Sequence, residues 1–268
     1  MIPNWVDIVD GTWPAASYET LGPFQLRQGQ GGGSRVSAAN ALGAATDADI
    51  DAAEAAMSAM GQKRIFCLRP GHEMLDARLA RRGYDILDPV NIYSCPVTRL
   101  TDQPIPRVTV FSIWEPLVIM REIWASGGIG PERLAIMERA KGPKTAFLLR
   151  HNDQPCGTAF VAMHGDVAML HALEILPDHR RQGLGQWTMR AAAFWAMDNG
   201  AQTLSVICTK ANDGANGLYR ALGMEIVGEY HYRQRVERER DRRDKTRHAH
   251  RVGPAHGRSV AARDAEVF

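Results

Sequence analysis

The chain has 268 residues, and its hydrophobic content of 45% is ordinary for a globular protein with a real core. No apolar run approaches the roughly 20 residues of a membrane span, and the first residues show neither the basic start nor the apolar segment of a signal peptide. The net charge is +2, but residues 233–251 hold nine basic and four acidic side chains, a local +5 that leaves −3 for the remainder and argues against a nucleic-acid-binding core.

The N-terminal part, residues 1–100, predicts a small α/β unit. Its glycine-rich segment at 28–35 looks like a phosphate loop, but residues 35–39 read as a strand, which favours a β-hairpin turn. Residues 47–60 predict a helix, with Asp47 as its N-terminal cap.

A polar stretch with Pro104 and Pro106 indicates a linker, and residues 107–233 predict a complete α/β unit. Periodicity and turn residues delimit its elements. In chain order they are a strand at 108–113, helices at 117–124 and 132–140, strands at 145–149, 157–163 and 167–176, a helix at 184–199, a strand at 203–208, a helix at 215–222 and a strand at 225–232.

The C-terminal tail, residues 234–268, is rich in charged residues and poor in large apolar ones. Such a composition buries too little surface to offset the entropy of ordering, so we expect the tail to be disordered. An RNA-binding or partner-binding role for this basic tail is the alternative.

Four cysteines indicate the compartment. Cys67, Cys95, Cys156 and Cys208 lie far apart and form no Cys-x-x-Cys pair, which argues against a zinc site. We therefore expect reduced thiols in a cytoplasmic protein.

The segment from Leu173 to Gly185 predicts a phosphate cradle. A short apolar strand leads into a basic turn with two glycines, and an amphipathic helix follows at once. The amides of a helix's first turn lack partners inside the helix, and the helix dipole adds positive charge there. Gly183 and Gly185 let a pyrophosphate approach these amides closely, and Arg180 and Arg181 add full charges.

A second segment, Lys-Ala-Asn-Asp-Gly-Ala-Asn-Gly-Leu-Tyr-Arg-Ala-Leu-Gly-Met at 210–224, completes the pattern. Together the two segments resemble the GNAT superfamily of N-acetyltransferases over about residues 107–233. Residues 180–185 match that family's Arg/Gln-x-x-Gly-x-Gly/Ala motif, and the second segment matches its Asn…Leu-Tyr…Leu-Gly-Phe helix, with Met224 in place of phenylalanine. The resemblance implies a mixed, mostly antiparallel sheet flanked by helices. It also implies acetyl-CoA as co-substrate without a metal, and a small-molecule or peptide amine as acceptor.

The resemblance also implies roles for individual residues. Leu173, Glu174 and Ile175 are expected to bind the pantetheine arm through backbone groups, with one amide facing the thioester carbonyl. The pyrophosphate is expected to be held by Arg180, Arg181, Gln182, Gly183, Leu184, Gly185 and Gln186. Tyr219 is expected to be the general acid near the sulfur, although a helix tyrosine is also commonly a core residue. Asn212 and Asn216 belong to the cofactor site, but Asn212 alternatively caps the loop.

The sequence leaves open which residue acts as the general base. His171 lies two strand positions before Leu173, so the two side chains are expected to share a face. A histidine occupies this position, in a similar Leu-His-Ala-Leu run, in the serotonin N-acetyltransferase branch, and a histidine titrates near neutral pH. A hydrogen-bonded strand histidine is the alternative. Glu174 lies on the opposite face and qualifies only if the strand bulges. Relatives place carboxylates where this chain has Met169 and Ile207, and a water chain without a side-chain base is a further alternative.

The N-terminal part resembles a second copy of the same unit. Residues 65–87 repeat the order strand, loop, helix, glycine and strand seen at 206–227, with Leu79 in the position of Tyr219 and no glycine cradle before it. This predicts a tandem arrangement. Its domains are a degenerate GNAT-like domain at 1–100, a catalytic GNAT domain at 107–233 and a disordered basic tail at 234–268.

The resulting prediction is a cytoplasmic acetyl-CoA-dependent N-acetyltransferase, a monomer or homodimer, in which the amine attacks directly in a ternary complex. Neither a membrane nor a nucleic acid is an expected partner, except a nucleic acid or ribosome through the tail. The missing carboxylates and the degenerate first copy motivate the alternative of a non-catalytic acyl-CoA sensor or scaffold. The sequence does not name the acceptor.

Overall fold

The computed structural model describes residues 4–235, so nearly all of the predicted disordered tail lies outside the described residues. The strands are β1 (Ser17–Leu21), β2 (Phe24–Gln28), β3 (Ala39–Ala41), β4 (Ile65–Leu68), β5 (Tyr84–Pro96), β6 (Val110–Ile113), β7 (Lys144–His151), β8 (Gln154–His164), β9 (Val167–Ile175), β10 (Thr203–Thr209) and β11 (Glu225–Arg235). The helices are α1 (Trp5–Thr12), α2 (Ser34–Ser37), α3 (Asp47–Ala59), α4 (Glu73–Arg81), α5 (Val118–Ser126), α6 (Pro131–Arg139), α7 (Leu184–Asp198) and α8 (Asp213–Ala221). Within this part of the chain, no helix has the length and apolarity needed to cross a membrane.

One sheet joins all eleven of these strands in the order β1-β2-β3-β4-β11-β5-β10-β9-β8-β7-β6. The first four strands repeat the pairing of β7 to β10, because each set has two antiparallel pairs followed by one parallel pair. The other pairs of this sheet are antiparallel. The sheet is therefore mixed and mostly antiparallel.

The last strand of each half lies beside the other half. β5 pairs with β10, β11 pairs with β4, and β5 and β11 pair with each other along most of their length. The domain ranges 1–100 and 107–233 stay a prediction, and the sheet is continuous across them. Consequently β5, from the N-terminal part, borders the strand that follows the predicted cradle.

Alternating side chains assign the helices to two faces of the sheet. Tyr93, Leu204 and Val206 point to the face covered by α7 and α8, and Phe66 packs on the same face in the N-terminal half. Ile92 and its neighbours point to the opposite face, where α1 packs over the middle of the sheet and α5 and α6 cover its C-terminal half. A residue on β9 can therefore face one of two different environments.

Two local predictions were wrong. The strand expected at 35–39 is instead the short helix α2 followed by the start of β3, because Gly33, with φ of 93°, turns the chain and the Ala38 amide closes a helical turn on Ser34. The glycine-rich loop before it still connects two antiparallel neighbours, β2 and β3. The cap of α3 is Thr46 rather than Asp47, because Thr46 and Asp49 exchange bonds in a capping box.

Candidate functional site

A slot opens in the sheet where β9 and β10 diverge. The two strands pair in parallel only from Val167–Leu170 with Thr203–Val206, although β9 continues to Ile175 and β10 to Thr209. Backbone groups along the free edge of β9 therefore face the slot instead of a neighbouring strand. Such an edge can hydrogen-bond an extended ligand as if the ligand were an added strand.

The turn before α7 forms the predicted cradle. Arg181 and Gly183 adopt left-handed φ angles of 65° and 79°, which fold the chain into the helix start. No side chain from residues 4–235 caps α7, so its first-turn amides stay available to an anion. A Cβ atom on Gly185 would lie 2.9 Å from Leu218 Cδ2, so this glycine lets the helix approach α8 across the mouth of the cleft.

A cleft of about 790 Å³ lies between this turn, the free edge of β9 and α8, a size in the ordinary range for ligand sites. The structure brings most of the predicted site residues together in its lining. These are Leu173, Glu174, Ile175, Arg180, Arg181, Gly183, Leu184, Gly185, Gln186, Asn212 and Tyr219. Gln182, Asn216 and His171 lie outside that lining: Gln182 is exposed and donates to the Asp178 carbonyl.

Asn216 is buried and fixes α8 on the sheet. Its Oδ1 accepts from the Tyr93 hydroxyl at 2.8 Å, and its Nδ2 donates to the carbonyls of Thr209 and Asn212. Asn212 caps α8, because its Oδ1 accepts from the Ala215 amide at 3.0 Å, and it also lines the cleft. The Asn216 partner on β5 gave no sequence signal, because it comes from the other half of the chain.

Tyr219 faces the cleft from α8 with its ring 5.4 Å from the Tyr93 ring. Only 4% of the residue is exposed, and burial raises the pKa of the Tyr219 hydroxyl. The hydroxyl is therefore protonated at neutral pH and can act as a hydrogen-bond donor.

A β-bulge in β9 changes which residues share a face. Ala172 has a φ of +51°, and the register to β8 shifts so that His171 pairs with Phe160 and Glu174 pairs with Thr158. His171 and Glu174 therefore lie on one face, and the expected alternation that placed His171 with Leu173 was wrong. The buried Trp124 indole donates to the Ala172 carbonyl at 2.7 Å and holds the bulge.

Glu174 lines the cleft and also contacts the end of α5 on the opposite face of the sheet. It is 4% exposed, and a Cβ atom at Gly127 would collide with its carboxylate. Burial raises the pKa of the Glu174 carboxyl, while the nearby Arg180 guanidinium, at 3.1 Å, opposes that shift. Arg180 also donates to the Ile175 carbonyl, so in this conformation it binds β9 at the edge of the cradle.

His171 is buried under α1 and has a partner on each ring nitrogen. The Arg35 guanidinium lies 3.3 Å from Nδ1, and Thr12 Oγ1 lies 3.0 Å from Nε2. Because a guanidinium only donates, Nδ1 accepts and Nε2 carries the proton. Burial, reinforced by the Arg35 charge, lowers the pKa of His171 well below its ordinary value, so the ring is neutral.

A second, smaller cavity of about 70 Å³ lies on the other face of the sheet. Its wall includes Ala172 of the bulge and Thr209 at the end of β10, the two sides of the slot. The glycine-rich loop before α2 and the loop between α5 and α6 close it. The sequence favours a β-hairpin turn for the first of these loops and does not indicate that it lines a cavity.

The start of α3, which lies between the parallel strands β3 and β4 as α7 lies between β9 and β10, forms no comparable cradle. At the start of α3, the Thr46 side chain accepts a hydrogen bond from the Asp49 amide, and the Asp49 side chain accepts one from the Thr46 amide. Asp47 adds further negative charge to that first turn. A pyrophosphate would meet repulsion instead of open amides there. Within residues 4–235 no cluster of three or more His, Cys, Asp or Glu side chains forms a metal site.

Comparison with known proteins identifies the same region. A model of the acetyltransferase (GNAT) family matches residues 117–224. The uncharacterized N-acetyltransferase YobR of Bacillus subtilis (strain 168) is 29% identical over 126 residues. That match covers 46% of this chain and 49% of the relative, so it spans about half the length of that protein.

Solved structures agree in fold. A GCN5-related N-acetyltransferase from Kribbella flavida superposes with a TM-score of 0.66 at 22% identity, covering 86% of this chain and 93% of that one. A tandem GNAT protein from the clavulanic acid biosynthesis pathway gives a TM-score of 0.57 at 12% identity, covering 75% and 76%. These likenesses confirm the predicted mixed α/β GNAT-like fold.

Proposed function

Because residues 117–224 match the acetyltransferase (GNAT) family, we propose that the chain transfers an acetyl group from acetyl-CoA to a primary amine of a small molecule or peptide. The transfer is direct, within a complex that holds both substrates. One observation carries the proposal: the uncapped start of α7, the free edge of β9 and Tyr219 converge on a single cleft.

The residues of the cleft fit the parts of acetyl-CoA, which supplies an acetyl group activated as a thioester. The open amides of α7 and the Arg181 side chain suit the pyrophosphate. Backbone groups of Leu173 to Ile175 at the slot suit the pantetheine arm, and a slot amide can donate to the thioester oxygen.

Glu174 is the base that the geometry favours over His171. An amine with a pKa near 10.4 must lose a proton before it attacks. Glu174 is buried beside the slot, and its raised pKa improves it as a proton acceptor. Both nitrogens of His171 are engaged under α1, and its Nδ1 lone pair accepts from Arg35.

Tyr219 is the donor to the leaving sulfur in this proposal. Its hydroxyl stays protonated because burial raises its pKa, and it lines the same cleft as Leu173. A hydrogen bond to the developing thiolate lowers the energy of its departure.

The proposal is tested with acetyl-CoA binding and thiol release measured side by side. We expect acetyl-CoA to raise the unfolding temperature, and a panel of amines to include some that release free CoA thiol. Gly185→Glu, which places a carboxylate at the cradle, should remove the thermal shift but keep the fold. Binding without thiol release across the panel would indicate an acyl-CoA sensor, and the absence of any shift would contradict the acetyl-CoA site itself.

A further inference from the structure

The small cavity on the α1 face is placed to hold the acceptor. Ala172 lines this cavity, whereas the next residue, Leu173, lines the acetyl-CoA cleft, so the two spaces meet across one strand. Thr209 closes the opposite side of the slot. A molecule bound in the cavity therefore approaches the slot from the side opposite to the donor.

The ionisable lining of the cavity is mainly basic. Arg35 of α2 and Arg133 of α6 both line it, and Asp88 is the acidic side chain in the wall, so these three charges sum to +1. Tyr232 and Tyr230 add hydroxyls, with Tyr232 donating to Tyr230 at 3.3 Å. A net positive charge in a small, partly enclosed space favours an anion.

Arg35 is held in place by a chain of hydrogen bonds. Its guanidinium donates to His171 Nδ1, His171 Nε2 donates to Thr12 Oγ1, and Thr12 donates to the Ile8 carbonyl at 2.7 Å. His171 and Thr12 are buried, and Trp13 stacks near the imidazole with centroids 4.9 Å apart. His171 is thus a positioning residue, which orients Arg35.

We propose that the amine acceptor also carries an anionic group, a carboxylate or a phosphate, which Arg35 and Arg133 bind while the amine points to the slot. This inference rests on the proposed acetyl transfer. A volume of about 70 Å³ corresponds to about five water molecules at roughly 10–15 Å³ each, which suits an anionic headgroup rather than a bulky side chain.

Matched pairs of amines test the inference. β-Alanine is compared with propylamine, lysine with 1,5-diaminopentane, and phosphoethanolamine with ethanolamine, each with acetyl-CoA and a thiol readout. We expect kcat/KM to be at least about tenfold higher for the anionic member of one or more pairs, since a charge-assisted bond favours it. The carboxylate and phosphate pairs show which anion fits. Equal or better turnover of the members that lack the anionic group overturns the inference but leaves acetyl transfer standing. No thiol release from any amine counts instead against the proposed function.

Variants locate the anion site. Arg133→Gln should raise KM about 10- to 100-fold for the amine that carries the anionic group, with little change in KM for its partner without that group, and Arg133→Lys should restore part of the loss. Arg121→Gln, an exposed position on α5, is the matched control. His171→Gln should raise the same KM more than it lowers kcat. If the anionic preference survives Arg133→Gln and Arg35→Gln in folded proteins, the cavity is not the anion site.

Discussion

Replacing Glu174 with glutamine separates its chemical role from its structural one. The variant keeps the shape of the side chain but loses the carboxylate. General base catalysis contributes about 100- to 10,000-fold to turnover, so we expect kcat for thiol release to fall within this range. The KM for acetyl-CoA should change little, because glutamine keeps the shape of the side chain and the open amides of α7 are unchanged.

Whereas the turnover of the Glu174→Gln variant should fall, its stability relative to wild type should rise with pH. The folded protein raises the pKa of Glu174 above 4.5, so the ionised carboxylate disfavours folding, and wild-type stability declines as pH rises from that value through the folded pKa. Glutamine lacks this titration. The lost ion pair costs at most about 1 kcal/mol, because Arg180 is 55% exposed. A 1 kcal/mol change shifts Tm by about 2–4 °C in a domain of this size.

Both expectations are tested by measuring the unfolding temperatures of wild type and variant at pH 5 and pH 8, and their rates of thiol release at pH 8. We expect the variant to gain stability relative to wild type between the two pH values. Glu122→Gln, an exposed change on α5, should alter neither quantity. Turnover within about threefold of wild type would refute the base assignment. A variant that loses stability relative to wild type between pH 5 and pH 8 would refute the electrostatic argument.

Three further changes test the rest of the site. Tyr219→Phe should lower kcat more than KM, and unchanged turnover in steady-state assays would remove Tyr219 from the acid role. Trp124→Phe should lower the free energy of unfolding in urea by about 2–4 kcal/mol, because the buried Ala172 carbonyl loses its donor and the smaller ring leaves space. Turnover should also fall, because the indole no longer holds the bulge that positions Glu174. Full activity would show that the bulge needs no such support. Arg180→Gln removes the cation that lowers the pKa of Glu174, so this pKa should rise further and the acidic limb of the pH profile of kcat/KM should move to higher pH. A limb that stays in place would show that Arg180 does not influence the titration of the base.

Much of the cleft that we propose for acetyl-CoA was readable from the sequence, because neighbouring segments of the chain build it. A strand, a turn with Gly183 and a helix in direct succession place open amides beside a strand end whatever the rest of the fold does. The cap of α8 by Asn212 is likewise set within four residues. The positions of the elements from β6 to β11 followed from periodicity, because each alternating or helical pattern buries one face.

The cavity that we propose for the acceptor was not readable from the sequence, because segments far apart in the chain build it. On that side of the sheet, Arg35 meets His171 across 136 residues. On the opposite, α8 face, the exchange of strands between the two halves brings Tyr93 to Asn216 across 123 residues. Neither contact leaves a pattern in the chain.

The sequence by itself determined the order of the elements from β6 to β11 and the strand, turn and helix of the cradle, since these depend on near neighbours. Tertiary structure decided the base candidate and the cavity. The bulge at Ala172, held by the Trp124 indole, rotates Glu174 onto the face of His171, and a one-residue insertion in a strand reverses every side chain beyond it.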